Sequence, residues 1–123
     1  MSLSDYFENV EGTGILATAD SEGVVDAAIY ARPHVIDEGT VAFIMNERLS
    51  YQNITSNPKA AYLFVEDTAG YKGKRLYLTK TKEDSDPELI ASMRRRTKKC
   101  ENDDSEKHLV FFSIDRIRAL VGE

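Results

Sequence analysis

Apolar residues in this chain fall in runs of strand length, set apart by clusters of Gly, Asp, Glu and Ser. Val41 to Met45 and Ala60 to Val65 are continuous apolar runs rich in β-branched and aromatic residues, and each reads as a buried strand. Between them Ser50 is expected to cap a helix over Tyr51–Ser56 that Asn57-Pro58 ends, with Asn53 at the capping-box position usually held by Glu or Gln. Upstream, Leu3–Val10 suits a short amphipathic helix with Ser4 as cap and Leu3, Phe7 and Val10 on one side, stopped by Gly12 and Gly14. Gly14–Ala19 reads as a strand, followed by an Asp20–Gly23 turn and a second strand over about Val24–Ile36. Asp37-Glu38-Gly39 then turns the chain again, and the two turns argue for an antiparallel meander. Pro33 has no N–H to donate, so a bulge or an edge is expected at Arg32-Pro33.

Downstream of the Glu66–Lys74 loop, Arg75–Lys82 alternates, with Leu76 and Leu78 on one face. Asp86-Pro87 is a helix start, a cap followed by proline at the first helical position. Leu89, Ile90 and Met93 form that helix's apolar stripe, which fades near Lys98. Cys100–Glu106 reads as a polar loop, and Leu109–Val121 as a long final strand broken near Asp115. The count is about six strands and two or three short helices. The fold class expected is therefore mainly β, an antiparallel barrel with peripheral helices.

Composition narrows the function classes. The 123 residues suit a single domain spanning the whole chain (1–123), and the charged and hydrophobic fractions, 30% and 41%, are those of an ordinary soluble protein. A net charge of −5 argues against a nucleic-acid partner. No apolar stretch reaches the roughly 18–20 residues that cross a bilayer, and the acidic start MSLSDYFENVEG lacks signal-peptide order, so a cytoplasmic protein is expected. One cysteine, Cys100, excludes an internal disulfide and a cysteine-rich metal site.

Few residues carry a chemical signature. There is no G-x-S-x-G elbow, no G-x-G-x-x-G and no Walker sequence, and Cys100 has no histidine near it in sequence. His34 and His108 sit in no metal-ligand pattern, so no metal is expected. The basic run Arg94–Lys99 is followed by acids within Glu101–Glu106; it reads as a solvated helix end suited to the dipole, because a binding patch needs a net field. The stretch Asn46–Asn53 is the candidate anion site. A helix start leaves N–H groups unpaired, and Arg48 supplies a bidentate phosphate donor. Its plainer reading is a polar cap. Ala27 and Ala28 are small residues in a strand of larger ones, which suits either tight helix packing or close approach of a flat ligand.

The order GILATADSEG, a strand, then DEGTVAFIMNERLSYQNITSNPKAAYLFVE resembles the pyridoxamine 5′-phosphate oxidase-like family of FMN-binding split barrels. Leu16-Ala17-Thr18, Asp20, Gly23, Ser50, Asn53-Ile54 and Asn57-Pro58 carry the resemblance, and GKRLYLTKTKE and FFSIDRIRALVG are similar to the family's last strands. Together they cover roughly Gly12 to Gly122. The resemblance implies a six-stranded antiparallel split barrel and a homodimer with two FMN sites at the subunit interface. It places the isoalloxazine ring along Ala27, Ala28, Ile29 and Tyr30, and the phosphate at the loop and helix start, with Arg48, Ser50 and Gln52 and, within the same stretch, Asn46 and Asn53. Two departures stand out. Many members have Lys or Arg just after the Ser, where this chain has Tyr51-Gln52. The chain also lacks the arginine-containing ending of the true oxidases and has no Trp, so that specific activity is not expected.

The leading functional expectation is an FMN-dependent oxidoreductase acting on a small substrate or electron donor, with Tyr30, Tyr77 and His34 the candidate acid or base groups; a deazaflavin is a variant of it. The alternative is a non-catalytic flavin or haem binder in electron transfer, storage or sensing, with His34 or His108 as axial ligand. A cofactor-free interaction module is the third reading.

Overall fold

The computed structural model describes residues 2–46, 48–94 and 107–122, with the backbone only at 93 and 94. Its elements run α1 (Leu3–Asn9), β1 (Gly12–Ala19), β2 (Val25–Tyr30), β3 (His34–Asp37), β4 (Thr40–Asn46), α2 (Leu49–Ser56), β5 (Lys59–Glu66), β6 (Gly73–Asp84), α3 (Pro87–Arg94) and β7 (Lys107–Ala119). The strands form one antiparallel sheet of seven in the order β2-β1-β5-β6-β7-β4-β3. That is one strand more than expected, and Pro33 is the reason. The stretch read as one strand over Val24–Ile36 is two, broken at Ala31-Arg32-Pro33. The meander expectation fails at the same place. β1 and β2 form one hairpin and β3 and β4 another, but β2 and β3 do not pair and lie at opposite edges of the sheet.

This connection dictates the shape. Laid flat, seven strands would put the outer two about 29 Å apart, at roughly 4.8 Å per step. Four residue steps from Tyr30 to His34 reach at most about 14 Å. The sheet must therefore curl until its edges nearly meet without pairing, which is a split barrel. Bulges ease the curvature: the β6–β7 register slips between Tyr77 and Leu78, opposite Asp115 where a break was expected, and again between Lys80 and Lys82.

Inward positions fill the barrel with Leu16, Val41, Phe43, Met45, Tyr62, Phe64, Leu76, Leu78, Val110 and Phe112. Helix α1 contributes Leu3, Tyr6 and Phe7, whose rings meet Phe64 and Tyr62 edge to face. Its cap is Ser2, not Ser4: the Ser2 hydroxyl accepts from the Asp5 amide at 3.1 Å. Helix α3 begins at Pro87 as expected, with the Asp86 carboxylate accepting from the Glu88 amide. Its Ile90 and Leu89 pack with Ala42, Leu109 and Phe111. The Met93 side chain, most of the basic run (95–99) and Cys100 lie outside the described residues. No helix among the described residues is long and apolar enough to cross a membrane.

Candidate functional site

Helix α2 packs where the barrel splits, and its first turn departs from expectation. Arg48, extended at φ −132° and ψ −167°, is the N-cap, and no side chain caps the helix. Ser50 is therefore inside the first turn, and the capping box with Asn53 does not form. The first helical amide bond is Gln52 N–H to the Arg48 carbonyl at 2.9 Å, which leaves the amides of the first turn without an intrahelical acceptor. Freed from capping, the Ser50 side chain hydrogen-bonds the Tyr30 hydroxyl. Asn53, also buried, donates from Nδ2 to Thr18 Oγ1 of β1 at 3.0 Å. These two polar side chains are buried because they tie the helix to β1 and β2.

A cleft of about 420 Å³ opens between β2, the end of β4 and this helix start, lined by Asp26, Ala28, Ile29, Tyr30, Ala31, Ile44, Asn46, Arg48, Leu49 and Ser50. It brings together six of the expected site residues: Ala28, Ile29, Tyr30, Asn46, Arg48 and Ser50. The other three lie elsewhere. Gln52 is exposed on α2 and does not line the cleft, because the helix begins two residues earlier than expected and turns that position outward. Asn53 is committed to Thr18. Ala27 points to the opposite sheet face, where it lines an apolar depression of about 390 Å³ with Ile15, Ala17, Ala61, Leu63 and Tyr77. The alternation that separates the two alanines is visible in the pairing: Ala28 lies opposite buried Leu16, and Ala27 opposite Ala17.

Electrostatics in the cleft are mixed. Burial pushes the Tyr30 phenol above its ordinary range; the Ser50 hydrogen bond and the Arg48 charge oppose this, and the Asp26 carboxylate adds to it. Tyr30 is thus a protonated donor at neutral pH. Asn46 Oδ1 accepts from Lys107 Nζ of β7 at 2.7 Å, which brings a second cation to the rim. Asp26, Ala31, Ile44, Leu49 and Lys107 were not expected at the site. Asp26 alone had a readable signal, since it shares the period-2 face of Ala28 and Tyr30.

The other candidate groups stand apart from the cleft. Tyr77 lines the apolar depression. His34 is buried beside a cavity of about 170 Å³ lined by Ser4, Phe7, Glu8, Arg32, Pro33 and Val35. His108 is buried, stacked on Tyr51 at 4.0 Å between ring centres, with Nδ1 3.0 Å from Ser85 Oγ. Neither histidine lines the cleft, so the cleft takes no axial ligand for a haem from either. Among the described residues, no group of three or more His, Cys, Asp or Glu could hold a metal ion.

No protein-family model matches the chain, and no curated protein matches it significantly in sequence. Solved structures do resemble it. An FMN-binding protein from Syntrophomonas wolfei subsp. wolfei superposes with a TM-score of 0.79 at 16% identity, over 98% of this chain and 84% of that one. A protein from Lactobacillus delbrueckii, proposed to be a pyridoxamine 5′-phosphate oxidase, gives 0.70 at 19% identity, over 94% and 89%. HutZ, the haem storage protein of Vibrio cholerae, gives 0.72 at 17% identity, over 97% and 95%. The chain thus has the split-barrel fold of the pyridoxamine 5′-phosphate oxidase-like proteins.

Proposed function

We propose that this chain binds FMN in the cleft between β2 and the start of α2 and works as a flavin-dependent oxidoreductase on a small substrate. One observation carries the reading: a single cleft joins a small-residue floor at Ala28 to the Arg48 cation and to the start of α2, where Leu49 and Ser50 have no intrahelical acceptor for their amides. Its volume falls in the roughly 300–1,000 Å³ range of cofactor sites. FMN has the two parts such a cleft suits, a planar ring and a phosphate.

In this reading Arg48 and the first-turn amides hold the phosphate, since the helix dipole and a bidentate guanidinium both favour a dianion there. Ala28 gives the ring close access to β2. Tyr30 donates from a phenol that burial keeps protonated. FMN supplies the redox chemistry when bound, and the chain binds, orients and shields it. The FMN-binding protein with the same fold supports the choice of cofactor.

The working unit in this reading is a homodimer. Val25 and Ile29 are 76% and 71% exposed on the outer face of edge strand β2, beside the apolar depression around Ala27. Contiguous apolar surface of this kind marks an interface, and a second copy laid there would also cover the cleft's Ile29 rim. Sedimentation should give a dimer at micromolar concentration, and a monomer that still binds FMN removes this part.

The absorption spectrum of the purified protein, followed by titration with FMN, tests the cofactor. Flavin bands and saturable binding support the reading. A haem Soret band without flavin bands favours the storage alternative, and a colourless protein that does not bind FMN overturns both.

A further inference from the structure

Helix α2 is tied to the barrel from two sides. Ser50 and Asn53 hold it to β2 and β1. Tyr51, between them in sequence, points the other way: its hydroxyl donates to Glu83 Oε2 of β6 at 2.7 Å, and its ring lies flat on His108 of β7 with 6° between planes. The same carboxylate takes Lys80 Nζ at 2.7 Å on Oε1 and lies 3.4 Å from His108 Nδ1, which Ser85 also contacts. β6 and β7 follow β1 and β5 around the sheet, so the helix bridges the curled wall rather than resting on one part of it. Only 28% of the Glu83 side chain is exposed, and it contacts Tyr51 of α2 and His108 of β7 from its place on β6.

We infer that Glu83, through Tyr51, is a positioning residue that fixes the first turn of α2 at the cleft and so sets its affinity for a phosphate-bearing ligand. This rests on the FMN reading for the ligand, but not for the brace itself. The physical reason is local. Tyr51 is one residue from Ser50 and three from Arg48, so slack at Tyr51 moves both groups that face the ligand. An anion site built on helix amides depends on where those amides point. Burial works against the Glu83 charge, but the Lys80 ammonium and the Tyr51 hydroxyl outweigh it and hold the carboxyl below its usual range, so the anchor stays ionised at neutral pH.

The test uses Tyr51→Phe, Glu83→Gln and the double variant of the full-length protein, with FMN as the probe. Tyr51→Phe keeps the stack on His108 and cuts only the tie to Glu83. Each single variant is expected to weaken FMN binding about three- to thirtyfold, the range for one charge-assisted hydrogen bond that is partly exposed. The double variant should lose no more than either single, because both remove one bond. Protection of the α2 amides against hydrogen exchange, measured without FMN, should fall about three- to thirtyfold in both. If Glu83→Gln does not fold, Tyr51→Phe carries the test alone. Unchanged α2 protection in folded Tyr51→Phe overturns the brace. Lost protection with unchanged FMN affinity overturns its link to the ligand. If the unaltered protein binds no FMN, the FMN reading and the link to the ligand fall together, while the exchange measurement still decides whether the brace exists.

Discussion

The Tyr62 hydroxyl, on a side chain with no exposed surface inside the barrel, donates to the Ala31 carbonyl at 3.0 Å and lies 3.5 Å from that of Tyr30. Those two carbonyls mark where the chain leaves β2 at one edge of the sheet for β3 at the other. The Ala31 carbonyl lies past the end of β2 and has no ladder partner, and a hydrogen bond to it is worth about 0.5–1.5 kcal/mol. Tyr62 satisfies it from β5, across β1. One phenol thus holds the split closed on the side where Tyr30 reaches the cleft.

The same phenol explains Gly14. A Cβ at that position would stand 1.9 Å from the Tyr62 hydroxyl oxygen and 2.8 Å from the Tyr30 carbonyl oxygen. Gly14→Ala is expected to lose more than the ~1–3 kcal/mol typical of overpacking, because one of the two obstacles is backbone. Tyr62→Phe removes the nearest atom and leaves the ring carbon Cζ at 2.5 Å, so it relieves part of the clash. In urea titrations the double variant should therefore be more stable than the sum of the single losses allows. Strict additivity would mean that Gly14 is required for another reason.

Alkaline pH should expose the buried phenols. Burial pushes the Tyr62 hydroxyl well above its ordinary value of 10.0, with nearby Arg32 opposing, and Tyr30 and Tyr6 are raised as well. Once the unfolded chain's tyrosines release protons that the native state keeps, the unfolded state binds fewer protons and stability falls as pH rises. The loss begins near pH 10 and is absent below it. Tyr62→Phe should be about 1–2 kcal/mol less stable at pH 7, yet lose less between pH 9 and 11. Parallel curves for the two proteins would refute the assignment.

Local pattern made most of the strands legible, whereas the long-range arrangement was not. Leu76 and Leu78 alternate and are buried as a half-buried strand requires. Pro33 marked a break, but proline reports only a missing donor and says nothing of where the chain goes next. The crossing of the barrel is set by Tyr62 and by pairings with β7 far away in sequence (Ala42 with Phe111, for example, a difference of 111 − 42 = 69). The start of α2 was misplaced because a serine beside a helix is the usual cap. Here Tyr30 captures its hydroxyl instead, a contact visible only once β2 and α2 are packed. The cleft was legible in its two halves, Ala28–Tyr30 and Asn46–Ser50. Asp26 had a period-2 signal but no chemical one. His108 lacked any local signal, since Tyr51, Glu83 and Ser85 surround it only in the fold.

The anion site separates from the helix cap at Arg48 and Ser50. Arg48 caps α2 with backbone alone, so Arg48→Ala should leave stability within about 0.5 kcal/mol. A charge-assisted phosphate contact is worth about 1.5–3 kcal/mol, so FMN affinity should drop roughly ten- to a hundredfold. Ser50→Ala should cost about 1 kcal/mol of stability through the lost Tyr30 bond, and weaken FMN as well. Denaturation curves beside FMN titrations check both. Arg48→Ala with unchanged affinity would move the phosphate elsewhere.

The ring site turns on one methyl group. Ala28 and Ala27 are neighbours on β2 with opposite facing: Ala28 opens on the cleft with Tyr30, and Ala27 on the apolar depression with Ala61 and Leu63. If the isoalloxazine lies along this strand, Ala28→Leu fills the space its ring needs, and flavin occupancy should fall at least tenfold, the effect of about 1.4 kcal/mol of steric cost. Ala27→Leu adds apolar area to a face that is already exposed, so it should keep its flavin. If that face is the dimer interface, the change should instead alter the sedimentation behaviour. Reading occupancy and sedimentation on the same two samples therefore places ring and interface on separate faces of one strand. Full flavin in folded Ala28→Leu would remove the ring from β2. Loss of flavin in both variants, with dimers intact, would mean that period-2 facing does not control access to the site.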